Sequence, residues 1–214
     1  MGGELSTSYL IFLGYGALWT IGLSIIAIVG GGILGFLLAL MRVTSFKFLK
    51  WTSMVYIQLL QGTPLLIILF LGYFGLAAVG FDVSALVAAS FCLTIYNAAY
   101  FGEIWRGCIQ SVPKAQYEAA EGLGLNRIQR MFRVVLPQAT RIATPPTVGY
   151  LVHIVKDTSL ASIIGFVELV RAGQIVSNTL FKPFLIYMII GVIYFCMCYP
   201  LSVLSKKLET NQIH

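Results

Sequence analysis

Residues 5–41 read LSTSYLIFLGYGALWTIGLSIIAIVGGGILGFLLALM and contain no charged side chain. A helix needs about 20 apolar residues to cross the hydrocarbon core of a membrane, and a charge at its centre costs about 2.5–3.5 kcal/mol. The stretch is therefore long and apolar enough to span a bilayer. The whole chain agrees, because only 10% of its 214 residues are charged, whereas soluble domains are about 25% charged.

Four further charge-poor stretches follow the first. We predict five spans at about 16–41, 52–79, 83–105, 134–155 and 183–205. We expect the fourth span to be irregular, because it contains Pro145 and Pro146. The fold class is accordingly an all-α polytopic membrane protein, with residues 1–214 forming one domain.

The distribution of basic residues predicts the orientation of these spans. Five spans place the two termini on opposite sides, and the cytoplasmic side holds more Lys and Arg. Eleven basic residues fall on one side, and only Lys156, Arg171 and Lys182 fall on the other. The N-terminus is therefore predicted outside and the C-terminus in the cytoplasm. The net charge of +6 is a topology signal and does not indicate a nucleic-acid partner.

The longest polar connection, residues 111–132, reads SVPKAQYEAAEGLGLNRIQRMF. Its pattern predicts two short helices joined near Gly124, the second opened by a capping box from Asn126 to Gln129. Apolar residues alternate with charges throughout, which indicates a cytoplasmic surface built to dock against a partner. The alternative is a pair of helices lying on the lipid interface.

Several sequence motifs that are typical of enzymes are absent. It contains no GxxxxGK[ST], HExxH or GxSxG, so it lacks those signatures of nucleotide, zinc and serine-hydrolase chemistry. We expect no enzyme activity and no cofactor bound by this chain. If this chain takes part in powered transport, we expect a partner chain to supply the power.

Ordered sequence blocks between residues 62 and 168 resemble one transporter family. They are Gly62-Thr63-Pro64-Leu65, residues 99–107 (AYFGEIWRG), Ser111-Val112-Pro113-Lys114, Glu118-Ala119-Ala120 with Gly124, Leu136-Pro137-Gln138-Ala139, and Lys156-Asp157-Thr158-Ser159-Leu160. Together they resemble the permease subunits of ABC importers, with their EAA motif, and in particular the polar amino-acid branch that includes histidine, glutamine and arginine permeases.

The resemblance implies an importer in the bacterial cytoplasmic, or inner, membrane. Its partners would be two ATP-binding subunits, a second permease subunit that is identical or related, and an extracytoplasmic solute-binding protein. The loop would form the coupling helix seated on the ATPase. Four of its residues would contribute: Glu118, Ala119, Ala120 and Gly124. The small residues would allow close approach or a turn, and Glu118 would accept hydrogen bonds.

Polar groups within spans are candidates for contact with the transported solute. In the third span, Asn97, Tyr100 and Glu103 share a helix face. Glu103 could attract a substrate ammonium group or form an ion pair with Arg106 three residues later, and the sequence leaves both open.

A second group of candidates follows the fourth span. Lys156, Asp157, Thr158 and Ser159 offer two opposite charges and two hydroxyls, which suits a zwitterionic amino acid. Alternatively, the charges neutralise each other and the hydroxyls cap a helix start. His153, four residues before Asp157, is predicted to make a satisfied polar contact more readily than to bind substrate.

Gln61, in the second span, is also a candidate, although the family usually has an arginine at its position. A rival function is a small channel or secondary carrier, which needs no docking loop but needs a coupling carboxylate. Glu103 is the only acidic residue well placed for that role.

Overall fold

The structure is a computed structural model that describes residues 6–213. The predicted domain of residues 1–214 therefore extends outside the described residues at both ends. All regular structure in the described part is helical, as expected for the all-α class. The helices are α1 Thr7–Val43, α2 Lys47–Gln61, α3 Leu65–Phe70, α4 Leu76–Ala78, α5 Ala85–Gln110, α6 Lys114–Gly122, α7 Arg127–Arg130, α8 Leu136–Asp157, α9 Leu169–Leu180 and α10 Pro183–Ile213.

Three helices, α1, α5 and α10, are each long and apolar enough to cross a membrane. They cover the predicted spans 16–41, 83–105 and 183–205, except that α5 begins at Ala85, after Ser84 caps it by accepting a hydrogen bond from the Val87 N–H. The described residues provide up to five spans if two bent helix pairs are each counted as one. The number of spans and their orientation stay predictions.

Helices α1 and α5 approach each other closely along a stripe of small residues on α1. The stripe contains Ala27, Gly31 and Gly35. A Cβ atom added to Gly35 would lie 2.5 Å from the Phe101 Cβ atom and 3.0 Å from the Ala98 carbonyl oxygen. Small residues are therefore needed here to let the two backbones meet.

The predicted second span, 52–79, is not one continuous helix. Helix α2 ends at Gln61, and the following segment Leu65–Ala78 is bent by 98° relative to it. Pro64 has no N–H to continue the ladder, and its ring disfavours a helical conformation for the preceding Thr63. The chain therefore turns at Gly62-Thr63-Pro64. A π-helical turn, Leu71–Gly75, links α3 to α4.

The irregularity expected in the fourth span lies elsewhere than at its two prolines. Helix α8 continues through Pro145 and Pro146. A π-helical turn, Met131–Val135, joins α7 to α8, and a 3₁₀ segment, Thr158–Ile164, follows α8. The helical segment Arg127–Ile164 is then bent by 53° from α9.

Glu168 joins α9 to two other helices at their buried junction. Its fully buried carboxylate accepts hydrogen bonds from the Val170 and Arg171 N–H groups, both at 2.9 Å, and from the Tyr194 hydroxyl of α10 at 3.1 Å. The Thr20 hydroxyl of α1 accepts a bond from the neighbouring Leu169 N–H at 3.2 Å. The sequence alone indicates no role for Glu168, which acts here as the N-cap of α9.

Candidate functional site

A cluster of polar and aromatic side chains lies between α5 and α8. The Tyr150 hydroxyl donates to the Asn97 side-chain carbonyl at 2.8 Å, while the Asn97 amide donates to the Leu93 carbonyl at 2.8 Å. The Tyr100 ring stacks on Tyr150 with centroids 5.4 Å apart. The hydroxyls of Tyr96 and Tyr100 are 3.0 Å apart. Two of the predicted residues, Asn97 and Tyr100, thus meet partners from another helix.

The same cluster continues along α8 to His153 and Asp157. The His153 ring stacks on Tyr150 with centroids 5.9 Å apart, and His153 is otherwise exposed. The half-buried Asp157 carboxylate interacts electrostatically with His153, Tyr96 and Tyr150. We call the six residues Asn97, Tyr96, Tyr100, Tyr150, His153 and Asp157 the tyrosine cluster.

Lys156, Thr158 and Ser159 do not join the tyrosine cluster through any hydrogen bond or ion pair found among the described residues. Lys156 is exposed and forms no ion pair with Asp157 in that part of the chain. The Thr158 and Ser159 hydroxyls donate to the carbonyls of Val155 and Lys156 at 2.7 and 2.6 Å. These hydroxyls therefore bond to the last turn of α8 and do not cap the start of a helix.

Glu103 is separated from the tyrosine cluster and forms the ion pair that the sequence allowed. Its carboxylate binds the Arg106 guanidinium three residues later, and Arg42 of α1 lies 3.8 Å away. Arg106 also donates to the Gln110 side chain. The two arginines hold Glu103 at one end of the α1–α5 pair, where its charge is already compensated.

Gln61 lies at the end of α2, against the middle of α5. Its amide donates to the Ala99 carbonyl at 3.4 Å, and the Tyr56 hydroxyl of α2 donates to the Ile95 carbonyl at 2.7 Å. These bonds attach α2 to α5 next to the tyrosine cluster.

The predicted coupling loop contains one short helix, α6, and the start of a long one. The capping box from Asn126 to Gln129 is confirmed, because each side chain bonds to the other residue's backbone at 2.9 and 3.1 Å. The prediction that the second helix is short is wrong. The chain remains helical from Arg127 to Ile164, through the π-helical turn Met131–Val135 and past Pro137, Pro145 and Pro146.

Glu118, Ala119 and Gly124 are exposed, whereas Ala120 is buried against the chain itself. Of the two alanines, only Ala119 is therefore accessible to a partner. Large apolar side chains beside them are exposed as well, with Leu123 80% exposed. Gly124 joins the helices with φ +76°, a left-handed conformation that favours glycine.

Helix α6 is fixed to the body of the molecule by several polar bonds. The Tyr117 hydroxyl donates to the Ile109 carbonyl at 3.0 Å. Arg130 donates to the Tyr117 carbonyl at 3.3 Å and pairs with Glu121 at 2.7 Å. Burial raises the pKa of Tyr117, and the positive charge of Arg130 partly opposes that rise. The loop is thus a braced element rather than a flexible tether.

Two residues of the tyrosine cluster, Tyr96 and Tyr150, were not predicted from the sequence. Tyr96 precedes Tyr100 by one helical turn, and Tyr150 precedes His153 by three residues, so helical spacing from a predicted candidate could have indicated both. Within the part of the chain that the structure describes, no three His, Cys, Asp or Glu side chains are grouped to hold a metal ion.

Comparison with family models finds one match over residues 31–211, to the binding-protein-dependent transport system inner membrane component. In Bacillus subtilis (strain 168), the "Probable amino-acid ABC transporter permease protein YckA" is 35% identical over 92% of this chain and 87% of its own length. The "L-cystine transport system permease protein TcyB" of the same organism is 36% identical over 94% and 87%, respectively.

A solved structure has the same fold over nearly the whole chain. It is a crystal structure of an amino acid ABC transporter with histidines, matched with a TM-score of 0.90 and 32% identity over 98% of this chain and all of that one. Neither these relatives nor this structure is named as a channel or a secondary carrier.

Proposed function

This chain belongs to the family of binding-protein-dependent transport system inner membrane components, and we propose that it carries a polar amino acid across the bacterial cytoplasmic membrane. As a member of that family it is a multi-pass permease subunit of an ABC importer and not an enzyme. Beyond family membership, we propose the solute, the membrane, five spans with the N-terminus outside, and roles for individual residues.

The tyrosine cluster is the observation that best supports a polar amino acid as the solute. Tyrosine faces attract an ammonium group, and a carboxylate nearby strengthens that attraction. Asp157 supplies the carboxylate and His153 a second polar group beside Tyr150. Hydroxyl and amide groups at Tyr100 and Asn97 can bind the polar atoms of a zwitterion. The names of the relatives, which include an L-cystine permease, support an amino acid.

Glu103, Lys156, Thr158, Ser159 and Gln61 take secondary places in this proposal. Glu103 is neutralised by two arginines, so we assign it to holding α1 and α5 together. The Thr158 and Ser159 hydroxyls bond to backbone carbonyls and would need to rotate before they could meet a solute. Lys156 is exposed and could attract a solute carboxylate.

We further propose that α6 and the residues around Gly124 dock on a separate ATP-binding subunit. Glu118 and Ala119 are exposed, so Glu118 offers a charged group and Ala119 allows close contact. The exposed apolar side chain of Leu123 can pack into the surface of the partner. ATP and Mg²⁺ would reside on that subunit, in two copies per importer. A solute-binding protein and a second permease subunit, identical or related, would complete the complex.

Reconstituted transport tests this function directly. Vesicles that contain the permease with its ATP-binding partner would be supplied with the solute-binding protein and a labelled amino acid. Competition by basic, acidic, amide and sulfur-containing amino acids would then be measured. We expect ATP-dependent uptake that one polar class abolishes, and the uptake should disappear when residues 111–132 are deleted. Uptake that needs no ATPase, or that no amino acid competes with, would contradict the proposal.

A matched pair of variants separates the solute site from general damage. Asp157→Asn removes the carboxylate of the tyrosine cluster, whereas Asp82→Asn removes an exposed carboxylate before α5. We expect the first variant to weaken uptake or change the preferred amino acid, and the second to leave both unaltered. Equal uptake and equal amino-acid preference in the two variants would contradict the assignment of Asp157 to the solute site.

A further inference from the structure

The first two turns of α2 combine exposed aromatic rings with exposed positive charge. Residues 45–52 are all exposed, and the Phe48 and Trp51 side chains are 75% and 60% exposed. Lys47 and Lys50 alternate with these two rings. Large exposed rings bordered by charged residues are typical of a surface that contacts a partner or a membrane.

The two rings belong to an apolar stripe along the outer side of α2. Its members are three or four residues apart, as one face of a helix requires, and they are Phe48, Trp51, Val55 and Leu59. The opposite side of α2 is buried through Ile57 and Leu60. The stripe therefore faces away from the rest of the described chain. It lies mostly in the predicted span 52–79 and continues past the start of that span to Phe48.

Three basic residues lie at the end of the stripe. Lys47 and Lys50 are on α2 itself, and Arg127 donates a hydrogen bond to the Ser45 hydroxyl in the connection from α1 to α2. The sequence has no Asp or Glu from residue 5 to residue 81. Within the described part of the chain, none of these three cations forms an ion pair. Their charge is therefore not neutralised by the residues around them.

An anionic phospholipid matches all of these features. Basic residues beside the cytoplasmic end of a span attract anionic headgroups, and aromatic rings favour the level of the headgroups. Because the stripe continues into the predicted span, one lipid can reach both the apolar side chains and the charges. A neutral lipid would cover the stripe but would leave the three cations without a counter-charge.

We propose that this surface binds an anionic phospholipid of the cytoplasmic leaflet. The phosphate would lie among Lys47, Lys50 and Arg127, and an acyl chain would lie along the stripe. Because Arg127 begins the helical segment Arg127–Ile164, the lipid would link α2 to the predicted coupling loop. Lipid binding is separate from the proposed amino-acid transport and rests on it only for the orientation that sets the leaflet.

Native mass spectrometry of the assembled transporter tests the charge of the lipid. The transporter in detergent would be titrated with phosphatidylglycerol and, in parallel, with phosphatidylcholine that has the same acyl chains. We expect phosphatidylglycerol to bind more tightly. Lys47→Gln/Lys50→Gln should weaken its binding by about fivefold to 30-fold, because each basic residue contributes on the order of a fivefold change. Equal binding of the two lipids by the unmodified transporter would overturn the proposal.

A matched variant separates this surface from general charge attraction. Lys206→Gln/Lys207→Gln removes the same two charges from exposed positions near the end of α10. Both pairs of lysines are exposed, so neither variant should unfold the protein. We expect the α10 variant to bind phosphatidylglycerol within about twofold of the unmodified transporter. An equal loss of affinity in the two variants would overturn the assignment to α2.

Photochemical crosslinking identifies what covers the stripe. The photoreactive residue p-benzoylphenylalanine would replace Phe48 in one transporter and Phe195, an exposed ring on α10, in another. Both transporters would be reconstituted in an equimolar mixture of the two lipids. At position 48 we expect several-fold more adducts with phosphatidylglycerol than with phosphatidylcholine, and at position 195 we expect similar amounts. The same ratio at both positions, or adducts of position 48 with the ATPase or a second permease subunit, would overturn the proposal.

Lipid binding and amino-acid uptake fail independently of each other. Absence of ATP-driven uptake by the unmodified transporter would refute the proposed function and would leave the lipid measurements in detergent unaffected. Normal uptake together with unselective lipid binding would refute only the lipid site.

Discussion

The contact between α1 and α5 can be tested by adding one methyl group to a glycine. Gly35→Ala would place a Cβ atom 2.5 Å from the Phe101 Cβ atom and 3.0 Å from the Gly102 nitrogen. Favourable separations between carbon atoms are about 3.5–4.0 Å. The two helices must therefore move apart by roughly 1 Å at this level, because the nearest atoms belong to backbone or to Cβ and cannot rotate away.

Gly32→Ala is the matched control, on the same helix and with the same chemical change. A Cβ atom at Gly32 meets nothing within 4 Å. Both substitutions gain about 1 kcal/mol of helix propensity, so this gain cancels in their difference. Overpacking costs about 1–3 kcal/mol. For a chain of this size, 1 kcal/mol shifts Tm by about 2–4 °C, so Gly35→Ala should melt about 2–12 °C below Gly32→Ala.

The assay is thermal unfolding of the purified transporter in detergent, with transport measured in parallel. Because the stripe contacts α5 beside Asn97 through Gly31, we expect Gly35→Ala to reduce uptake as well. Equal melting temperatures for the two variants would refute the close packing of α1 on α5. A higher melting temperature for Gly35→Ala would refute it as well.

Three further changes test other parts of the molecule. Gly124→Val forces a β-branched residue into φ +76°, at a cost of about 1–2 kcal/mol, and should reduce uptake more than ATP hydrolysis. Gly122→Val, at an exposed helical position, is the control, and it should not alter the ratio of uptake to ATP hydrolysis. Tyr150→Phe removes the hydroxyl bound to Asn97 and leaves that buried acceptor unpaired, a loss of about 1–3 kcal/mol. It should lower Tm by about 2–12 °C and raise KM for uptake, and an unchanged KM would contradict a role in solute binding. Glu168→Ala removes a buried helix cap and the acceptor of the Tyr194 hydroxyl, which should destabilise the folded protein by about 1–3 kcal/mol. Glu168→Gln keeps an acceptor oxygen and should destabilise it less. Similar Tm values for these two variants would contradict the capping role.

The sequence predicted the elements whose signals are local and strong. The long apolar runs became α1, α5 and α10, and the capping box at Asn126 and Gln129 formed as expected. Each of these features depends on residues within a few turns of each other, so a single sequence contains the information.

The features that depend on long-range contacts could not be predicted in the same way. Glu103 pairs with Arg106 one turn away, but the sequence did not indicate that Arg42, which is distant along the chain, lies 3.8 Å from the same carboxylate. The composition of residues 52–79 indicated one span, because hydropathy alone does not measure the bend that Pro64 causes. Nothing in the sequence around Glu168 indicated its burial, which follows from contacts with distant helices: Tyr194 of α10 donates to its carboxylate, and Thr20 of α1 accepts from the neighbouring Leu169 N–H.

The continuous helical segment from Arg127 to Ile164, which includes the π-helical turn Met131–Val135, gives the proposed coupling a physical route. Its first turn belongs to the loop braced by Arg130, and Tyr150 and His153 lie farther along the same segment. At 1.5 Å per residue, about 35 Å of helix separates Arg127 from Tyr150. A rigid helix transmits a displacement from one end to the other, so Tyr150 and His153 would move with the loop. Tyr100 and Asn97 lie on a different helix, α5. Movement of the loop by an ATPase would therefore shift one half of the tyrosine cluster against the other, and the solute would be released where their shared contacts separate.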